Sequence, residues 1–118
     1  MTSSSSSMMI RLKSIEGEIF ELEEMVALQM GRINTFLLNV VHEECCTRIL
    51  FPVKLTSLIL SKIICYCQKH ARQPNNHQEL KNWDKQFIED NINFLIDIIH
   101  AVDYLQIKSF RDNFPFFF

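Results

Sequence analysis

Glycine is almost missing from this chain: two residues in 118, Gly17 and Gly31. That scarcity excludes a glycine-rich phosphate cradle, and neither a dinucleotide-binding fingerprint nor a P-loop can be written anywhere in the sequence. An excess of one charge is missing too. Twelve Lys and Arg face 14 Asp and Glu, for a net charge of -2. The cations are scattered singly, so no basic stripe exists to hold nucleic acid or an anionic membrane surface. No apolar run approaches the roughly 18 to 20 residues of a membrane-spanning helix. The start, Met1-Thr2-Ser3-Ser4-Ser5-Ser6-Ser7, has neither a basic region nor a following apolar core. It reads as a disordered tail of an intracellular protein rather than a secretory signal.

Cysteine is present, but without the spacing that would give it a role. Cys45, Cys46, Cys65 and Cys67 are expected as reduced thiols in a chain with no secretory signal. On a helix Cys65 and Cys67 point about 200° apart and cannot share an ion, so only Cys67 and His70 lie on one face. The adjacent Cys45 and Cys46 lack the spacing of about two to four residues found in structural zinc sites. The run His42-Glu43-Glu44-Cys45-Cys46 has Cys46 where a metal-binding His-Glu-x-x-His helix needs its second histidine. A cysteine nucleophile with His42 as base would rest on sequence neighbours alone. His100 has no partner at a defined spacing and reads as a solvated side chain. These readings assign no catalytic residue, no metal site and no cofactor, and the chain is not expected to be an enzyme.

What is there is a core. Apolar residues make up 47% of the chain, enough at this length for one domain and too little chain for two. The densest stretch runs from Leu58 to His70. Ile59, Ile63 and Tyr66 recur at i, i+4 and i+7, and Leu60, Ile64 and Cys67 repeat that spacing one residue on. So wide a stripe predicts a central helix covered from several sides, capped by Thr56 or Ser57. Before it, Met9 to Lys13 and Glu18 to Leu22 alternate apolar and polar around Gly17, the pattern of a hairpin. Short helices are predicted from Glu23 to Leu28 and from Arg32 to Leu38, with Gly31 breaking the first, and an edge strand from Ile49 to Val53. After the central helix a surface loop is expected over Ala71 to Gln78, then a short helix that Trp83 and Phe87 pin to the core. Asn91 to Leu105 reads as a second strong helix, with Ile92, Leu95, Ile96, Ile99 and Val102 as its buried stripe. Gln106 onward should begin as helix and stop near Phe114, because Pro115 would cost a helix interior ~3 kcal/mol.

In this order the blocks resemble the Skp family, adaptors of SCF-type ubiquitin ligases, and are most similar to its plant branch. Ile10-Arg11-Leu12-Lys13-Ser14, Gly17 to Glu24 and Val26-Ala27-Leu28-Gln29 are similar to the family's opening hairpin and helix. Ile59 to Ile64 with Tyr66-Cys67 and Lys69-His70 resemble its central helix. Leu80-Lys81-Asn82-Trp83-Asp84 with Phe87, then Ala101, Tyr104-Leu105 and Ile107-Lys108, continue the series.

The resemblance implies an α/β (α+β) fold of the BTB/POZ type, a small sheet covered by helices with a helix-rich C-terminal half. It divides the chain into a Ser-rich tail (1–8), a BTB/POZ-like domain (9–105) and a shortened remnant of the F-box-binding helices (106–118). It implies a non-catalytic adaptor of the nucleus and cytoplasm that bridges a cullin N-terminal domain and an F-box protein, with neither nucleic acid nor membrane as partner. Asp103 and Tyr104 fall in the segment used for the cullin, with Asp103 adding a negative charge unusual for the family. Ile99, Ala101, Val102, Leu105, Ile107, Lys108 and Phe110 fall where the F-box is clasped. Because the resemblance fades after Ser109, F-box binding is expected to be weak. Two other readings compete: a self-association module using Phe110, Phe114, Phe116, Phe117 and Phe118 as a contact, and a degenerate copy without stable partners.

Overall fold

Alternation in the first strand, β1 (Met9–Lys13), turns Ile10 and Leu12 inward, and both are fully buried. In the computed structural model, which describes residues 9–40, 48–72 and 77–118, β1 is the middle of a three-stranded sheet. It pairs antiparallel with β2 (Ile19–Glu23), Ile10 opposite Leu22 and Leu12 opposite Phe20. Gly17 supplies the positive φ of the connecting turn, at 90°. The parallel partner on the other side is β3 (Arg48–Pro52), an edge strand as expected, with Pro52 at its last position. Parallel pairing needs a crossover. Helices α1 (Glu24–Ala27) and α2 (Gly31–Val40) lie within the connection from β2 to β3. The Ser-rich tail, the run from His42 to Cys46 and residues 73–76 of the expected loop lie outside the described residues.

Helix α3 (Ser57–Arg72) is the predicted central helix, and all six residues of its double stripe are buried. Thr56 is its cap: the Thr56 hydroxyl accepts the Ile59 N–H at 3.3 Å. Ser57 does not cap its own helix. Instead its N–H donates to Glu16 Oε1 at 2.6 Å and its hydroxyl meets that of Ser14 at 2.7 Å, so the hairpin turn is fastened to the start of α3. The Ser57 N–H, and then its hydroxyl, hold the Glu16 carboxyl below the usual carboxylate range.

Five boundaries differ from the sequence reading. Gly31 does not end a helix but opens α2. Ala71 and Arg72 complete α3, while His77 and Gln78 begin α4 (His77–Asp90). The second strong helix is shorter than Asn91 to Leu105. Asn91 stops α4 by donating from Nδ2 to the Phe87 carbonyl and accepting from Lys62 Nζ, and a 3-10 turn (Ile92–Phe94) intervenes before α5 (Leu95–Leu105). Gln106 adopts a left-handed conformation, φ 62°, and the chain restarts in α6 (Lys108–Asn113) instead of continuing the helix. Pro115 then opens a 3-10 turn (Pro115–Phe117), consistent with helix ending before it.

The buried stripe of α5 is also corrected. Ile98, Ala101, Val102 and Leu105 face the core, whereas Ile92 and Ile96 are 57% and 72% exposed. Leu95 and Ile99 are half-buried. Both stripes have helical spacing, because α5 is apolar around much of its circumference. The 3-10 turn sets which one meets α3.

One close approach locks α2 to the α5–α6 corner. The Gly31 N–H donates to the Gln106 carbonyl at 2.8 Å, and a Cβ on Gly31 would stand 2.8 Å from that same oxygen. Gly31→Ala is therefore expected to destabilise the fold by about 1–3 kcal/mol. Gln106→Gly, which relieves the left-handed backbone, should stabilise it by roughly 0.5–1 kcal/mol. Urea unfolding of both variants checks the pair; an unaltered midpoint for Gly31→Ala would deny the contact.

Candidate functional site

The end of α5, the Gln106 corner, α6 and the start of α2 enclose an open cleft of about 910 Å³. Tyr104 forms its wall and is held from two sides. Arg32 Nε donates to the Tyr104 carbonyl at 2.6 Å, and the guanidinium carbon lies 4.5 Å from the centre of the Tyr104 ring, a cation–π contact. The Tyr104 hydroxyl accepts the Lys54 N–H at 3.2 Å. Across the cleft, Asp103 pairs with Arg111 at 3.5 Å and Lys108 with Asp112 at 3.1 Å. Both pairs are exposed, which limits each to about 0–1 kcal/mol of stability. Their effect on charge is larger than their effect on stability. Asp103 is not the bare negative charge the sequence suggests, because Arg111 stands against it.

The other residues expected at a partner surface divide sharply. Ile99 is half-buried and Lys108 exposed, but Ala101, Val102, Leu105, Ile107 and Phe110 are each 0% exposed. In this structure those five side chains face the interior. The reason is the left-handed turn at Gln106, which folds α6 back so that Ile107 and Phe110 close the core beneath it. Exposed apolar surface is supplied by Ile96 on α5 and by Ile92 in the 3-10 turn before it, two of the five residues taken from sequence as buried.

The phenylalanine-rich end divides in the same way. Phe110 is in the core, with Phe114 and Phe117 packed against it. Phe116 is 76% exposed and Phe118 42%. Arg111 covers Phe118 at 5.2 Å. Two exposed rings are far short of the five-residue contact that self-association would use.

A buried polar cluster, which the sequence reading missed, holds α6 in position. His70 Nε2 and Asp84 Oδ1 are 2.7 Å apart, their side chains only 8% and 6% exposed. Asn113 Nδ2 donates to Asp84 Oδ2 at 3.0 Å and to the Tyr66 hydroxyl at 3.4 Å. Tyr66 stacks on His70 with ring centres 4.2 Å apart. So α3, α4 and α6 are tied at one point. The i, i+4 placement of Tyr66 and His70 was legible in the sequence; their meeting with Asp84 and Asn113 was not.

Cys65 is exposed and Cys67 buried, diverging as helix geometry requires. Burial pushes the Cys67 thiol up to about 12 and raises the Tyr66 phenol well above its ordinary value too. Cys45, Cys46 and His42, the remaining members of the zinc and nucleophile readings, lie outside the described residues. Among the described residues no three His, Cys, Asp or Glu side chains converge as metal ligands.

A family model described as "Skp1 family, tetramerisation domain" matches residues 8–72. The chain belongs to the Skp1 family. It is 36% identical to SKP1-like protein 8 of Arabidopsis thaliana over 103 residues, covering 85% of this chain and 65% of that protein. Identity is 36% over 110 residues with SKP1-like protein 11 and 39% over 107 residues with SKP1-like protein 10, both of the same plant. These cover 91% and 87% of this chain, and 70% and 67% of the two relatives. The chain thus spans about two thirds of the length of the curated relatives it matches. Its three-stranded mixed sheet under a majority of helix is the POZ-like α+β fold expected of a Skp1-family member. Both surfaces described above, on α5 and α6, follow the segment that the family model matches.

Two outcomes check this anatomy. Removing one partner of the buried hydrogen bond, as in His70→Ala, is expected to lower unfolding free energy by about 1–3 kcal/mol, measured in urea; an unchanged midpoint would mean the pair does not anchor α6. Alkylation of the native chain near neutral pH, followed by peptide mass mapping, should label Cys65 and spare Cys67. The thiol of Cys67 rises on folding from 9.0 to about 12, so folding retains its proton. Its contribution to stability is complete below the unfolded value and lost as pH climbs through that interval.

Proposed function

We propose that this Skp1-family chain is a non-catalytic adaptor in an SCF-type cullin ubiquitin ligase, with the cullin N-terminal domain at the Tyr104 cleft and an F-box protein on the apolar side of α5. The observation that carries the reading is the exposure of Ile96, at 72%, on α5, whose opposite side is fully buried, with Ile92, 57% exposed, in the 3-10 turn that leads into it. On α5 itself Ile96 and half-buried Ile99, at i and i+3, form a short apolar strip that Ile92 extends from the preceding 3-10 turn, a surface suited to packing against a partner helix. The Tyr104 cleft follows along the same helix, so one rigid element would set the distance between two partners. That is what an adaptor requires, and it needs no chemistry of its own.

F-box binding by these 118 residues is expected to be weak. A specific interface of standard size buries roughly 1,600 Å² in total, and one stripe of three side chains provides only part of such an area. Five of the residues expected to contribute are committed to the core.

Gel filtration with an N-terminal cullin fragment and an F-box peptide, separately and together, tests the assignment. The expected result is co-elution with the cullin fragment and only partial, concentration-dependent retention of the F-box peptide. Ile96→Asp should abolish that retention and leave cullin co-elution intact. A stoichiometric F-box complex that survives Ile96→Asp would remove α5 as the docking surface. Absence of cullin binding would reject the adaptor reading.

A further inference from the structure

Arg32 is the one cation of the Tyr104 cleft without a carboxylate partner among the described residues. Its position is nevertheless fixed. Nε is committed to the Tyr104 carbonyl at 2.6 Å and one face of the guanidinium to the Tyr104 ring at 4.5 Å. The two terminal nitrogens remain as a pre-oriented fork, the geometry that matches a carboxylate with two parallel N–H···O bonds. The cleft's own acids are both engaged, Asp103 by Arg111 and Asp112 by Lys108. Three guanidinium or ammonium groups therefore stand against two carboxylates, and the surplus is at Arg32.

We propose that Arg32 receives an aspartate or glutamate side chain of the cullin partner that docks at Tyr104, and that this acidic contact selects which partner surface fits. The proposal rests on the adaptor reading above and adds to it the chemistry of the facing residue. A free anion is a poorer occupant. The cleft is wide and open to water, so a single exposed arginine would hold a small ion only weakly, whereas a carboxylate carried by a docked surface is delivered at high effective concentration. Charge complementarity of this kind governs specificity and association rate more than total affinity. Neither sequence spacing nor periodicity could assign the role, since Arg32 and Tyr104 are separated by 72 positions.

The test is binding of the full chain to an N-terminal cullin fragment by isothermal titration at low and at high salt, with three variants. Arg32→Glu is expected to weaken binding on the order of tenfold or more. Arg32→Lys, which keeps the charge but not the fork or the stacking, should fall between it and the parent. Lys85→Glu makes the same charge change on the exposed side of α4 and should stay within about twofold. The parent should lose affinity with salt more steeply than Arg32→Glu. Thermal unfolding verifies that each variant is folded; if Arg32→Glu is not, Arg32→Lys and the salt series decide. Parent-like binding and salt dependence in both Arg32 variants would overturn the inference and leave the adaptor reading standing. Failure of the parent to bind the cullin fragment would overturn both.

Discussion

Everything in this molecule depends on burying α3 from several sides at once. A helix with two adjacent apolar stripes cannot be satisfied by a sheet alone, and here α1, α4 and α5 all pack against it. Tyr66 is the centre of that arrangement. Its ring lies 5.7 Å from Phe87 and 5.2 Å from Phe110, and stacks on His70, so rings from α4 and α6 meet on one residue of α3. Burying a tyrosine leaves a hydroxyl that needs a partner, and Asn113 of α6 provides it. Aromatic packing and polar satisfaction thus make the same demand on the last helix.

That demand shapes the candidate site. Once Asn113 is held by Tyr66 and Asp84, α6 must run back across the end of α5, which a left-handed residue at Gln106 allows. The corner brings the Gln106 carbonyl onto the Gly31 N–H and carries Lys108 and Arg111 to the rim of the Tyr104 cleft. The cleft is therefore a consequence of how the core is closed. Its charge follows from the same fold: Arg111 reaches Asp103 only because the helix does not continue past Leu105.

Legibility varied with the range of the interaction. The hairpin, the six-residue double stripe of α3 and the divergence of Cys65 from Cys67 follow from periods of two and 3.6 residues, and each was readable from neighbours in the chain. The stripe of α5 was not, because Ile92, Ile96 and Ile99 have the same helical spacing as Ile98, Val102 and Leu105. Periodicity identifies a helix without saying which apolar side is inward. Arg32 at Tyr104 and His70 at Asp84 likewise left no local signal, joining residues 72 and 14 positions apart through tertiary packing.

The sequence by itself determined the class of fold, the central helix and the family, since hydrophobic period, turn residues and ordered blocks are properties of the chain alone. Only the tertiary structure decided which apolar and charged residues stay at the surface. Burial is a contest among elements for a limited interior, and the turns at Asn91 and Gln106 gave that interior to Ile98, Leu105, Ile107 and Phe110, leaving Ile92, Ile96 and the Arg32–Tyr104 pair at the surface.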